Sequence, residues 1–203
     1  MLENLDGDIL KLRSGHASND FLKKLNDLRN NNLFLDIDLI ITKQSENTDL
    51  DGKDHDENGR ENHTKTSSEI STSSQYVIRA HKIVLSCCSP YFEKMFGEHF
   101  SEKDQTFVYI GGEFDHLAFE QIINFFYTGI LEIDSYNAIE LLQVADILLL
   151  EQTRNSLLKY MQQTLNFENC ILYKNIGKTF ACSELTENSD RFARRNFEDV
   201  CNR

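Results

Sequence analysis

The apolar positions Phe21, Leu22, Leu25 and Leu28 fall on one face of a helix, and Lys23, Lys24, Asp27 and Arg29 take the other. Ser18 is placed to cap that helix and the run Asn30-Asn31-Asn32 to end it. The period then changes. Over Leu33 to Ile41, the residues Ile37, Leu39 and Ile41 alternate with Asp36, Asp38 and Ile40, which predicts a half-buried strand. Tyr76 to Arg79 predicts a second strand. His81 to Cys88 reads as a short helix. Ser89 is the N-cap of the next, with Pro90 at its first position, where a missing N–H costs nothing. Tyr91, Phe92, Met95 and Phe96 give that helix an apolar side, and Gly97 ends it. After a loop over 98–105, Thr106 to Ile110 predicts a third strand, closed by a turn at Gly111-Gly112.

Helical patterns fill the rest. Asp115 caps a helix whose buried face is Phe119, Ile122, Ile123 and Phe126, and Thr128-Gly129 stops it. Asp134 is read as the cap of another, with Ile139, Leu142, Ala145, Ile147 and Leu149 apolar. Further helices are predicted over about Thr153 to Thr164, from Asn166 or Glu168 through Phe180, and over Glu187 to Val200. Few strands clustered early, followed by helices, predict an α+β chain: a small mixed sheet capped by a helical cluster and followed by a helical segment.

One stretch breaks the pattern. Gln44 to Gln75 holds eight acids against three bases, and only Leu50 and Ile70 are aliphatic. Such a segment buries too little apolar surface to offset its ordering entropy, so it is predicted to be a disordered acidic insert over 44–75. Its Ser and Thr content also suits a regulated loop. Residues 1–15 show no pattern and are expected to be a flexible amino-terminus.

Charge and cysteine usage narrow the chemistry. The net charge of -12 lacks the clustered Lys and Arg that phosphate binding needs, so neither nucleic acid nor an anionic membrane surface is an expected partner. Met1 to Gly15 has no uninterrupted apolar core of the kind a secretory leader carries, and Ile139 to Leu150 is too short and too interrupted to span a bilayer. A soluble protein of the cytoplasm or nucleus is expected. Cys87, Cys88, Cys170, Cys182 and Cys201 are odd in number and lack metal-ligand spacing. The six histidines form no HxxxH-type pair, and neither a phosphate-binding glycine loop nor a nucleophile elbow is present. No catalytic residue, metal site or cofactor is expected.

The run from Ala80 through His81-Lys82-Ile83-Val84-Leu85-Ser86-Cys87-Cys88-Ser89-Pro90-Tyr91-Phe92 resembles the central signature of the BTB (POZ) domains of Kelch-like proteins. Flanking pieces agree in order. Leu35-Asp36-Ile37 resembles the family's opening strand, with Leu35 where the family usually has Cys. Phe126-Tyr127-Thr128-Gly129 and Leu141-Leu142-Gln143-Val144-Ala145-Asp146 resemble its later turn and helix. Asn169-Cys170 and the stretch from Arg191-Phe192 to Val200 resemble the start of a BACK domain. The resemblance covers roughly residues 16–203 and divides the chain into a BTB/POZ domain over 16–163 and an incomplete BACK domain over 164–203.

The resemblance implies a homodimer in which the helix bearing Phe21, Leu22, Leu25 and Leu28 packs across a two-fold axis. The other reading of that helix is packing on its own domain. The resemblance also implies a hydrophobic-x-Glu motif that docks a cullin-three scaffold of a ubiquitin ligase, matched here by Phe100-Ser101-Glu102. Asp36, His81 and Lys82 fall at the family's charged pocket near the dimer centre. The structural reading of these is that Asp36 and His81 satisfy each other or nearby backbone. The function implied is that of a non-enzymatic interaction module: an adaptor that carries an unidentified substrate through a module not seen in this chain. Alternatives are a transcriptional regulator recruiting corepressors and a dimeric cytoskeletal scaffold.

Overall fold

The computed structural model describes residues 2–4, 10–13, 19–42, 75–97, 101–112 and 114–196. The elements run β1 (Leu2–Asn4), β2 (Leu10–Arg13), α1 (Asn19–Asn30), β3 (Ile37–Thr42), β4 (Gln75–Ala80), α2 (Lys82–Cys88) and α3 (Pro90–Met95). A 3-10 turn over Ser101–Asp104 follows, then β5 (Phe107–Ile110), α4 (His116–Thr128), β6 (Ile130–Ile133), α5 (Ala138–Ile147), α6 (Glu151–Gln163), α7 (Cys170–Thr179) and α8 (Ser183–Arg195).

β3 is the centre of a mixed sheet. It pairs antiparallel with β4 and parallel with β5, so that Leu39 lies between Ile78 and Val108. The strand period sends Ile37, Leu39, Ile41, Ile78, Val108 and Ile110 to one face, and all six are buried. Helical residues close the core from the other side: Leu85 of α2, Phe92 of α3, and Phe119, Ile122, Ile123 and Tyr127 of α4.

Local chemistry sets the helix ends. Asp115 Oδ1 accepts the N–H groups of Leu117 and Ala118 at 2.8 and 3.0 Å, which satisfies two orphan donors at the start of α4. Gly129 ends α4 at φ 67°, a left-handed conformation that costs glycine nothing. Ser89 Oγ accepts Phe92 N–H at the start of α3, and its own proton goes to the Leu148 carbonyl at 2.8 Å. That second bond ties α3 to the end of α5. At the end of α1, Asn32 stands at φ 54° and Leu33 N–H reaches back to the Leu28 carbonyl at 2.9 Å. This is a six-residue closing bond that asparagine tolerates well.

The structure departs from several sequence expectations. β1 and β2 lie in the stretch expected to be a flexible amino-terminus, and β6 follows α4 where no strand is expected. These three form a second, antiparallel sheet in the order β1-β2-β6. The strand expected from Leu33 begins only at Ile37, because Phe34 takes φ 61° and breaks the alternation. Asp134 does not cap α5 directly. Its carboxylate accepts the N–H groups of Tyr136 and Asn137, and Asn137 occupies the cap position. Leu149 leaves the apolar face of α5, since it sits beyond the helix at φ 57° and is exposed. The acidic insert and the expected cap Ser18 lie outside the described residues, apart from Gln75, which opens β4.

Candidate functional site

The helix α1 packs on α4. Its stripe is divided: Leu22, Leu25 and Leu28 are half-buried, with Leu25 against the core, while Phe21 remains 59% exposed. Arg29, placed by periodicity on the solvent face, turns inward instead. Its Nε donates to the Arg79 carbonyl at 3.0 Å, its Nη1 donates to Asn124 Oδ1 at 2.7 Å, and the guanidinium lies 4.8 Å over the Tyr127 ring. Burial lowers its pKa from the ordinary arginine value, with the nearby Tyr127 and Glu120 opposing that shift. Arg29 thus fastens α1 to β4 and α4 at once. Periodicity alone cannot reveal this, since the partners come from elements far along the chain.

A second exposed apolar group lies beyond α1. Leu33 and Phe34 are exposed, Phe34 by 80%, and Ile83 on the first turn of α2 is 69% exposed. Polar bonds hold this group together. His81 Nε2 lies 2.9 Å from the Leu33 carbonyl, and Asp36 Oδ1 accepts the Lys82 N–H at 2.7 Å. The loop 33–36 is therefore tied to the amino-terminal end of α2, with Asp36 supplying from outside the helix the cap that His81 does not provide. The sequence signal for this patch was the unbroken apolar run Leu33-Phe34-Leu35, which has no place in an alternating strand.

The three residues expected at a charged pocket are brought together, but Asp36 and His81 do not bond to each other. Asp36 is exposed and serves α2. His81 is 6% exposed; its Nδ1 lies 3.0 Å from the Tyr127 hydroxyl, which also accepts the His81 N–H at 2.8 Å. Lys82 places its ammonium 5.5 Å from the Phe96 ring centroid. Both ring nitrogens of His81 have internal partners, so it is built as a strut. Tyr127, which the sequence reading did not single out as a site residue, is the fixed point. Burial raises its phenol pKa.

Of the expected cullin motif, Phe100 lies outside the described residues. Ser101 and Glu102 open the 3-10 turn that precedes β5. Glu102 is half-buried, and its charge adds to the burial that raises the pKa of Tyr91 on α3. Among the described residues, no group of three or more His, Cys, Asp or Glu side chains could hold a metal ion, and no helix is long and apolar enough to cross a membrane.

At the carboxy-terminal end, α7 and α8 form a close hairpin. Asp190 takes the Lys174 ammonium at 2.5 Å and Arg194 Nε at 2.7 Å, and the Lys174 bond first of all holds its carboxyl below the usual carboxylate range. Arg154 of α6 bonds Asp146 of α5 at 3.0 Å and also the Phe180 carbonyl, linking this hairpin to the preceding helices.

Comparison with known proteins adds three findings. Residues 63–165 match the BTB/POZ domain family. Kelch-like protein 17 of Mus musculus is 36% identical over 123 residues, and that of Homo sapiens 35%; each match covers 61% of this chain and 19% of the relative. The chain therefore spans about a fifth of the length of these relatives. In fold, the chain is similar to the BTB domain of zebrafish PATZ1, with a TM-score of 0.50 at 20% identity, covering 72% of this chain and 92% of that one.

Proposed function

The chain belongs to the BTB/POZ domain family, a protein-interaction module, and from that premise we propose that it is a homodimerising adaptor that docks a cullin-three ubiquitin ligase scaffold. The observation that carries the dimer is the exposure of Phe21 on α1 and, beyond the end of that helix, of Leu33, Phe34 and Ile83, with the helix itself locked in place by Arg29. Large exposed apolar patches mark interaction sites. A closed two-fold contact would bury each copy's group against the other. Leu22, Leu25 and Leu28 contribute mainly by seating α1 on α4, and Phe21 supplies the part that reaches a partner.

Cullin docking rests on the position of Phe100-Ser101-Glu102 just ahead of β5. An aromatic anchor with a neighbouring carboxylate suits a pocket beside a helix amino-terminus. Residues 164–203 act as the start of a BACK domain in this reading. Substrate recruitment, in this reading, belongs to a module other than the BTB/POZ domain. Asp36 serves as a helix cap and His81 as a strut, which favours the adaptor over corepressor recruitment through a charged pocket.

Light scattering on the eluting chain tests the dimer: a mass of two copies is expected at micromolar concentration, and Phe21→Lys with Phe34→Ser should give one. A monomeric wild type would refute the interface. Binding to the purified cullin-three amino-terminal domain tests the second part. Phe100→Ala with Glu102→Ala should cost about 2–4 kcal/mol, the usual loss of a central anchor, and an unchanged affinity would reject this loop.

A further inference from the structure

We infer that the outer edge of β4, where it meets the end of α1 and the flank of α4, is a docking groove for an extended, uncharged peptide segment of a partner protein. The groove has a volume of about 430 Å³ and is walled by Arg29, Asn30, Asn32, Val77, Glu120 and Asn124.

The strand edge is open there. β4 pairs with β3 on one side, and among the described residues no strand pairs with it on the other. The ladder phase fixes which groups face outward. Asp38 N–H donates toward β5, to the Thr106 carbonyl at 2.9 Å, and the Arg79 carbonyl is taken by Arg29 Nε. The facing pair Asp38 and Arg79 therefore exchanges no main-chain bonds. By alternation neither does the next such pair, Ile40 and Val77. The N–H and C=O of Val77 and the N–H of Arg79 consequently point into the groove. Edge strands are usually guarded by lysine, proline, a bulge or a covering element. The β4 sequence QYVIRA has neither lysine nor proline, and the Arg79 side chain is drawn to Asp38, at 3.8 Å.

The walls select the occupant. Arg29 and Glu120 contribute one charge of each sign, and the third charged wall, Arg79, is offset by Asp38 at 3.8 Å, so neither an anion nor a cation is favoured overall. Both are engaged internally: Arg29 with the Arg79 carbonyl and Asn124, and Glu120 with the Tyr76 hydroxyl at 2.6 Å. Asn124 lines the groove with its Oδ1 taken by Arg29, so the donors it offers an incoming carbonyl are its amide N–H groups. Side-chain amides beside an open strand edge match the donors and acceptors of a peptide main chain, the mode of strand addition. Opposite Val77, a β-branched residue packs best. The main-chain groups it uses belong to β4, and none of Phe21, Leu33, Phe34 and Ile83 lines the groove.

The test titrates the isotope-labelled full chain with the capped pentapeptide acetyl-Ser-Thr-Val-Thr-Ser-amide and follows backbone amides by NMR. The Val77 and Arg79 amides should shift together and saturate with a dissociation constant at or below about 1 mM. The same peptide N-methylated at its central valine, which cannot donate to the Val77 carbonyl, should bind at least about tenfold more weakly. Val77→Pro removes an outward N–H that an edge strand can spare, and should abolish the Arg79 shift. The inference is overturned if the parent peptide leaves these two amides unmoved, or if the methylated peptide titrates like the parent. The methylated peptide decides the matter on the unaltered chain even where Val77→Pro fails to fold.

Discussion

The Tyr127 hydroxyl accepts the His81 backbone N–H at 2.8 Å and stands 3.0 Å from Nδ1 of the same residue. The Leu33 carbonyl can only accept, so Nε2 carries the ring proton, and in the neutral imidazole Nδ1 then accepts the hydroxyl proton of Tyr127. One buried phenol on α4 thus positions the start of α2 and, through the imidazole, the loop carrying Phe34.

Tyr127→Phe removes that acceptor and donor while keeping the ring. The His81 N–H and Nδ1 are then left in a buried site without partners, which should cost about 1–3 kcal/mol. For a chain of this size the melting temperature falls by roughly 2–4 °C per kcal/mol. A thermal melt indistinguishable from wild type would contradict the role given to the hydroxyl.

Gly177 is where α7 and α8 touch. A Cβ there would lie 2.5 Å from Thr186 Oγ1 and 2.8 Å from Thr186 N. Alanine normally favours a helix interior by about 1 kcal/mol over glycine. Here the clash with backbone should reverse the sign and destabilise by about 1–3 kcal/mol. Urea unfolding of Gly177→Ala measures the sign directly, and a gain in stability would show that the hairpin opens freely.

Ser189 is fully buried on α8, and its hydroxyl has no hydrogen-bond partner among the described residues. Removing an unpaired buried hydroxyl relieves a desolvation penalty of about 1–3 kcal/mol. Ser189→Ala should therefore unfold at the same or a higher urea concentration. A clear loss would mean that the hydroxyl is engaged after all.

Cys88 ends α2 as a residue exposed to solvent, yet the protein packed around its thiol desolvates it enough, with the neighbouring Cys87 adding to the effect, to push the thiol up to about 11. The raised value means less thiolate at any given pH. At pH 8 the thiolate fraction is roughly one part in a thousand, against about a quarter for an ordinary cysteine. Cys88 should be alkylated by iodoacetamide far more slowly than free cysteine at pH 8, with the rate climbing until the pH approaches 11. Peptide mapping after timed alkylation gives the rate, and labelling at the free-cysteine rate would argue against a desolvated thiol.

Thr42 and Gln75 are register partners at the ends of β3 and β4. The connection between them can therefore be replaced by a short hairpin turn without moving either strand. Shortening the loop from about 32 to about 4 residues removes roughly 2 kcal/mol of closure entropy. The shortened protein should melt at the same temperature or slightly higher. A large drop would reveal that residues 43–74 contribute to the fold.

What the sequence determined by itself was local. Asp115 and Gly129 bracket α4 because a side-chain cap and a left-handed glycine act within a few residues of the helix they bound. Ser89-Pro90 starts α3 for the same reason, and the alternation of Ile37, Leu39 and Ile41 needed only its own period to mark the buried face of β3. The tertiary structure decided whatever depends on a distant partner. β2 and β6 are four residues each, too short to show a period, and exist as strands by pairing with each other. Arg29 reads as a solvent-facing residue until α4 and β4 bring Asn124 and the Arg79 carbonyl to it. Phe34 reads as strand until its left-handed backbone turns it outward. The open edge at Val77 follows from which side of β4 is already paired, and that is a property of the assembled sheet, since main-chain donors look alike along a strand until a neighbour takes half of them.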